Sequence, residues 1–440
     1  MRKFKSFLRG LGLVAIVIAG LVIWSRLPWP AVLLLVVLLA LWLVLTRRGR
    51  QTLSITGVGI STLRQRIGAS LVVVVGIAGV VGVLVAMLAM GEGFQSTLQQ
   101  TGSDDTAIVL RGGSNAELNS VLDRDSVNVV IQAPGVARSA DGKPVASAEQ
   151  SVVANLPKRS DASVEANVPI RGVGDEAWTL RPNVKIVQGR RFKPGLRELV
   201  VGQGAMRQFA GLDVGRQLRL AGQEWSIVGE FTSGDSHDSE LWGDAQTVAS
   251  AYRRGSSAQS VTVRLTSPQA FDAFKAALSS DPRLKVDVST TREYFSKQSE
   301  NLTKVIRVVG ITVGVIMAIG AIFGALNTMF AAIAARAREI ATLRAIGFRG
   351  LPVVVSVLME TMLLALLGGV LGGLISWLIF NGYTASTLGA NFSQVVFQFK
   401  VSPELLWLGI KWAMAIGFVG GLFPAVRAAR LPVTTALREL

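Results

Sequence analysis

Residues 305–347 read VIRVVGITVGVIMAIGAIFGALNTMFAAIAARAREIATLRAIG, an apolar run with the single charge Arg307 as far as residue 335, followed by a patch dense in Arg and Glu. A hydrocarbon core takes roughly 20 helical residues to cross, so 305–328 reads as a membrane span. Charge resumes only where the span ends. Outward from it, 352–380 and 405–425 on one side and 70–90, 28–45 and 7–24 on the other are long enough, or nearly so, to cross as well. The expectation is an α-helical membrane protein with six transmembrane helices.

Composition agrees. The 440 residues are 50% hydrophobic and only 17% charged, against roughly 25% charged in soluble domains, and mean hydropathy is +0.46. The net charge of +16 could suggest nucleic acid, but its location explains it otherwise. Segments 1–10, 46–69, 331–351 and 426–440 carry sixteen Lys/Arg and two acids, Glu339 and Glu439. All four fall on one side when the spans are counted, so the positive-inside rule puts both termini in the cytoplasm, and no nucleic-acid partner is expected. There is no cysteine, which removes disulfides and thiolate chemistry. His237 is the lone histidine, in a Gly/Ser/Asp-rich stretch that reads as a solvated loop, so neither a metal site nor a cofactor is expected on this chain.

Residues 91–303 are the one region large enough for a folded aqueous domain, and the topology puts it outside the cytoplasm. Short β-rich runs at Ala107–Leu110, Val127–Ile131, Glu198–Val201, Gln217–Leu220, Trp225–Val228 and Ser260–Leu265 predict strands. A helical pattern at Pro268–Leu278 and a strand at Lys285–Val288 complete a large extracytoplasmic α+β domain. Ser120 and Ser256 are expected on its surface. Residues 290–302 are polar, helix-compatible and free of Gly and Pro, a stalk leading into the span at 304. The resulting division is an N-terminal hairpin at 1–50, an interfacial helix at 51–69, a span at 70–90, the domain and stalk at 91–303, and a module of three spans with the helix between them at 304–440.

Inside the spans, Gly310 and Gly314, Gly320 and Gly324, Gly368 and Gly372, and Gly369 and Gly373 are spaced four apart, which lets helix backbones approach closely, within one subunit or between two. Glu360 is the one acid in a span. It lies about 12 Å in from Pro352 at 1.5 Å per residue, within reach of the interface or of a neighbouring helix. Arg307 and Lys411 sit near outer ends, where long side chains can snorkel.

Between two spans, Ile333–Phe348 reads as a short helix on the cytoplasmic side, with Gly347 as its stop and Arg336 and Glu339 spaced to pair. A plain connector between spans would look similar. The run Arg-Ala-Arg-Glu-Ile-Ala-Thr-Leu-Arg-Ala-Ile-Gly, Arg336 to Gly347, resembles the coupling helix of MacB/FtsX-type ABC permeases, the type VII mechanotransmission systems. Ala89 to Phe94 (Ala-Met-Gly-Glu-Gly-Phe) is similar to the exit of that family's first span, and Pro424 with Arg427, Ala428, Ala429 and Arg430 to its C-terminal ending. The resemblance covers about 52–440, and the hairpin at 7–45 is extra to the family's four-span core.

The resemblance implies a permease subunit of the bacterial inner membrane, with its large domain in the periplasm. A separate ABC ATPase would hold ATP and Mg, since no phosphate-binding loop is found here; Gly142-Lys143 is followed by Pro144. It also implies a second permease, copy or paralogue, membrane lipids, and a periplasmic adaptor and outer-membrane channel as further partners. Work done on hydrophobic cargo (lipid, lipoprotein, peptide or amphiphilic drug) is the leading expectation, and an FtsX-like scaffold that regulates an outer partner without transport is the alternative. Arg336, Arg338, Glu339, Ile340, Leu343, Arg344 and Gly347 are the expected coupling residues, with Ile340 and Leu343 as apolar anchors for the ATPase. The chain itself is expected not to be an enzyme.

Overall fold

The computed structural model describes residues 19–20, 22–61, 66–389 and 394–430. They form two compact units: a membrane unit of residues up to 89, 306–381 and from 400 on, and an α+β unit of 90–305 with 382–399.

Among the described residues, four helices are long and apolar enough to cross a membrane: Ile67–Thr101, Thr291–Ala335, Gly350–Phe380 and Pro403–Arg430. A fifth crossing is possible if the pair Trp29–Leu45 and Arg47–Ser61, bent by 96°, counts as one span. The structure therefore supports four to five of the six expected spans, and most of the segment 7–24 lies outside the described residues. The stalk residues and the span at 304 belong to one 45-residue helix, Thr291–Ala335, with Glu293–Lys297 and Glu300–Lys304 ion pairs along its polar stretch.

Packing in the membrane unit is set by the spaced glycines. A methyl group at Gly372 would stand 2.4 Å from the carbonyl oxygen of Ala78, and one at Gly368 would stand 2.8 Å from that of Val74. At Gly369 it would meet Ala413 at 2.7 Å, and at Gly417 Ala365 at 2.4 Å. Gly310 and Gly314 abut Met87 and Leu84, and Gly373 abuts Leu406. Gly320 and Gly324 differ: a methyl group at either would meet no other described residue within 4 Å. Lys411 does not snorkel. It is buried, and its Nζ donates to the carbonyls of Ser25 at 2.7 Å and Leu27 at 3.4 Å, while Trp24 Nε1 donates to the Lys411 carbonyl. The cation thus caps the orphan carbonyls at a helix end, fastening the N-terminal segment to the last span.

The α+β unit is built on a ten-stranded sheet in the order β10-β1-β9-β2-β3-β8-β5-β7-β4, with β6 on β7. The strands are β1 (Thr106–Arg111), β2 (Ala146–Pro157), β3 (Glu165–Val173), β4 (Lys185–Gly189), β5 (Glu198–Gly202), β6 (Gln217–Leu220), β7 (Gln223–Thr232), β8 (Leu241–Asp244), β9 (Ser260–Arg264) and β10 (Val286–Thr290). The long β2 joins two lobes, pairing with β9 over Ala146–Glu149 and with β3 over Gln150–Pro157. One lobe packs Val109, Val261, Val263, Phe274 and Leu278. The other packs Ile170, Leu199, Phe209, Trp225 and Ile227.

Three expectations are corrected here. Val127–Ile131 is the end of a helix, Arg124–Ile131, whose N-cap Asp123 accepts from the Ser126 N–H, so a local cap outweighs the β-branched run. Ser120 is buried, its hydroxyl accepting from Arg111 N, whereas Ser256 is exposed. The domain is also not confined to 91–303. A hairpin of β11 (Thr384–Leu388) and β12 (Gln394–Gln398) belongs to it, with Phe397 edge-on to Phe94 at 5.5 Å and Val396 N donating to Ser239 Oγ at 2.7 Å.

Candidate coupling site

The helix Ala337–Ala345 stands between two spans of the membrane unit. Its end is fixed by backbone geometry. Gly347 has φ +106°, a conformation costly for residues with a Cβ; its N–H bonds to Arg344 O, and Phe348 N–H bonds to Leu343 O. These two bonds are the Schellman closure.

The start is fixed by charge. Arg336 precedes the helix and donates from Nη1 to Glu360 Oε2 at 3.1 Å and from Nε to Glu339 Oε2 at 3.2 Å. Glu360 is 4% exposed and also faces Arg66 Nη2 at 3.8 Å. Gly59, on the helix Arg47–Ser61, sits so close that a Cβ there would be 3.0 Å from Glu360 Oε2. The intramembrane carboxylate therefore ties three segments together at one point, the arrangement expected of an acid retained in a span.

The apolar side is turned inward. Ile340 is 7% exposed and packs with Ile55, Met329, Ile333, Val353 and Val357; Leu343 and Phe348 are half-buried against the same cluster. Ile340 is thus an anchor of this chain's own core rather than of a partner contact, and Leu343 lies half-buried at the edge of the same cluster. The residues left open are Arg338, Glu339, Thr342 and Ile346, the last 69% exposed. Arg344 is of intermediate exposure.

With this geometry in view, two family models match the chain: the MacB-like periplasmic core domain over residues 70–281 and the FtsX-like permease C-terminal domain over 311–433. The chain belongs to the MacB/FtsX-type ABC permeases. The second model includes the whole of Ala337–Ala345, Gly347 and Glu360. Among relatives, the permease is 25% identical over 391 residues to the "Macrolide export ATP-binding/permease protein MacB" of Bordetella avium, covering 83% of this chain and 57% of that protein. It is 24% identical over 389 residues to the protein of that name from Vibrio parahaemolyticus, covering 83% and 56%. The chain thus spans little more than half the length of these relatives. A crystal structure of the periplasmic region of MacB from Actinobacillus actinomycetemcomitans is 16% identical, covers 45% of this chain and 93% of that one, and gives a TM-score of 0.33, too low to weigh on the fold.

A second buried cluster, in the α+β unit of the permease, escaped the sequence reading. Arg171 on β3 is 4% exposed and donates to Glu117, Glu149 and Glu240, all at 2.8–3.0 Å. Arg181 adds a two-pronged contact to Glu149 at 2.7 and 2.8 Å. Burial alone would raise the three carboxyls, but the guanidinium charges, Arg171 at Glu117 and Glu240 and Arg181 first at Glu149, hold all three below their ordinary range. His237 is not solvated: it is 1% exposed, bonds through Nδ1 to Asp235 at 2.9 Å, and its Nε2 accepts from Arg181 Nε at 3.2 Å. Among the described residues no cluster of His, Asp and Glu suits a metal ion.

Proposed function

We propose that this permease takes up force from a separate ABC ATPase at the helix Ala337–Ala345 and passes it along the helix Thr291–Ala335 to the α+β unit, to move hydrophobic cargo out of or away from the inner membrane. The observation that carries the reading is the anchoring of that short helix. Its inner face is set in the core through Ile340, its start is tied to Glu360 through Arg336, and its outer face, with Arg338, Glu339, Thr342 and Ile346, is open. A helix held this firmly cannot shift without moving the helices that flank it. The assignment of the α+β unit to the periplasm rests on the Arg distribution, and the ATP, Mg and second permease of the working complex rest on family membership.

The test is capture of the ATPase subunit by tagged permease. Ile346→Asp puts a charge into a contact that excludes water and should weaken capture by about 30-fold, near 2 kcal/mol. Arg338→Glu should act in the same direction. Neither should change the thermal midpoint of the purified permease, because neither side chain is buried. Undiminished capture and ATP-dependent function in both variants would remove this helix as the contact.

A further inference from the structure

We infer that the helix Arg47–Ser61 is a surface for anionic phospholipid, lying in the plane of the bilayer and holding acidic headgroups through Arg47, Arg48 and Arg50. Three independent features meet there. The first is its direction: it leaves the apolar helix Trp29–Leu45, 17 residues long, at 96°. That apolar helix falls just short of the roughly 20 residues a crossing takes, and a polar-faced helix set square to it fits a position along the interface.

The bend is built in. Thr46 accepts from Gly49 N at 2.9 Å through Oγ1, which itself donates to Trp42 O at 2.8 Å, so one hydroxyl serves both helix ends. A Cβ at Gly49 would stand 2.1 Å from Trp42 O, so only glycine permits the corner to be this tight.

The second feature is charge. Arg47, Arg48 and Arg50 are all exposed, and among the described residues none of them forms an ion pair. The helix contains no acidic residue. The third is the distribution of apolar groups. Gly49, Thr52, Ile55, Thr56 and Gly59 are buried against the permease, yet Leu53 and Ile60 remain 41% and 43% exposed. Leu53 and Ile60 lie seven apart on one flank of the buried face, Val58, 49% exposed, lies on the other flank, and Arg47 and Arg50 stand on the i, i+3 row leading into Leu53. An apolar flank beside free guanidinium groups fits acyl chains on one side and phosphate on the other. Arg suits phosphate in particular, because its planar fork can donate two parallel hydrogen bonds.

Near an anionic bilayer each such cation contributes enough that three together predict about a 100-fold preference for anionic over zwitterionic lipid. The full chain is placed in nanodiscs of phosphatidylcholine with or without phosphatidylglycerol, and thermal midpoint and retained lipid, by native mass spectrometry, are read. The wild-type permease should melt higher and keep more phosphatidylglycerol, and high salt should erase the difference, since exposed charges are screened. The triple variant Arg47→Gln, Arg48→Gln, Arg50→Gln should lose the response, and the triple Lys variant should keep most of it. The inference fails if wild type does not distinguish the two lipids, if the difference survives high salt, or if the Gln variant responds like wild type. A Gln variant that keeps its lipid response but no longer captures the ATPase would assign the arginines to a protein partner instead. None of these readouts depends on the coupling role proposed for Ala337–Ala345.

Discussion

In the α+β unit one guanidinium, Arg171, makes five hydrogen bonds to three carboxylates; in the membrane unit one carboxylate, Glu360, is shared by two arginines at 3.1 and 3.8 Å. The first cluster is sealed, with side chains 0–10% exposed. The second is half open, its Arg66 and Arg336 side chains being 20% and 15% exposed, and Arg336 also bonds Glu339. A buried ion cluster is costly to break and gives a fixed geometry. The second keeps its carboxylate buried but lets water reach its two arginines.

The largest effect should come from the sealed cluster. Arg171→Met leaves three buried carboxylates facing one another and should cost about 3–5 kcal/mol, read as a large fall in the midpoint of the α+β unit's unfolding. The same cluster sets a pH dependence. The folded pKa values of Glu117, Glu149 and Glu240 are lowered, so their contribution is present above the unfolded value near 4.5 and is lost as pH falls through the folded values. Wild-type stability should therefore drop on acidification below about 4.5, and the Arg171→Met variant should lose this acid sensitivity or reverse it. A variant with wild-type stability would mean that the buried charges of the cluster do not contribute to the stability of the unit.

How much of this was readable in sequence follows from how local each signal is. Four of the spans, the stop at Gly347 and strands such as β5 and β9 rest on runs of a few residues and were legible. β3 was not, because Pro169 and Gly172 interrupt its pattern, although both sit within the paired register. The Arg171 cluster was invisible because its partners lie 54, 22 and 69 residues away, and only the fold brings them together. Ile340 was misread for a different reason. An apolar residue on a short helix at the interface can face its own protein or a partner, and the sequence pattern is the same for both.

A middle-sized effect is expected at the open cluster. Glu360→Gln removes the charge but keeps the volume and leaves two arginines with access to water, so the cost in stability should be about 2 kcal/mol. The more telling readout is a double-mutant cycle with Arg336→Gln. If the pair ties the short helix to Gly350–Phe380, the two changes together should cost clearly less than the sum of each alone. Strict additivity would show that Arg336 and Glu360 do not act on one another.

The smallest effect belongs to Gly320, and it is sharpest against Gly372, which sits in a pair of the same spacing but in different surroundings. Gly372→Ala forces a methyl to within 2.4 Å of the Ala78 carbonyl, a backbone atom that cannot rotate away, so about 1–3 kcal/mol of overpacking is expected. Gly320→Ala meets no other described residue within 4 Å and replaces a poor helix former with the best one, so the isolated subunit should be unchanged or gain up to about 1 kcal/mol. Thermal unfolding of both variants in the same detergent separates the two cases. If Gly320→Ala were as harmful as Gly372→Ala, that face of Thr291–Ala335 would have to be packed against something other than detergent or lipid. Cross-linking through a cysteine at the neighbouring Phe323, 67% exposed, into this cysteine-free chain would then show whether a second subunit supplies it.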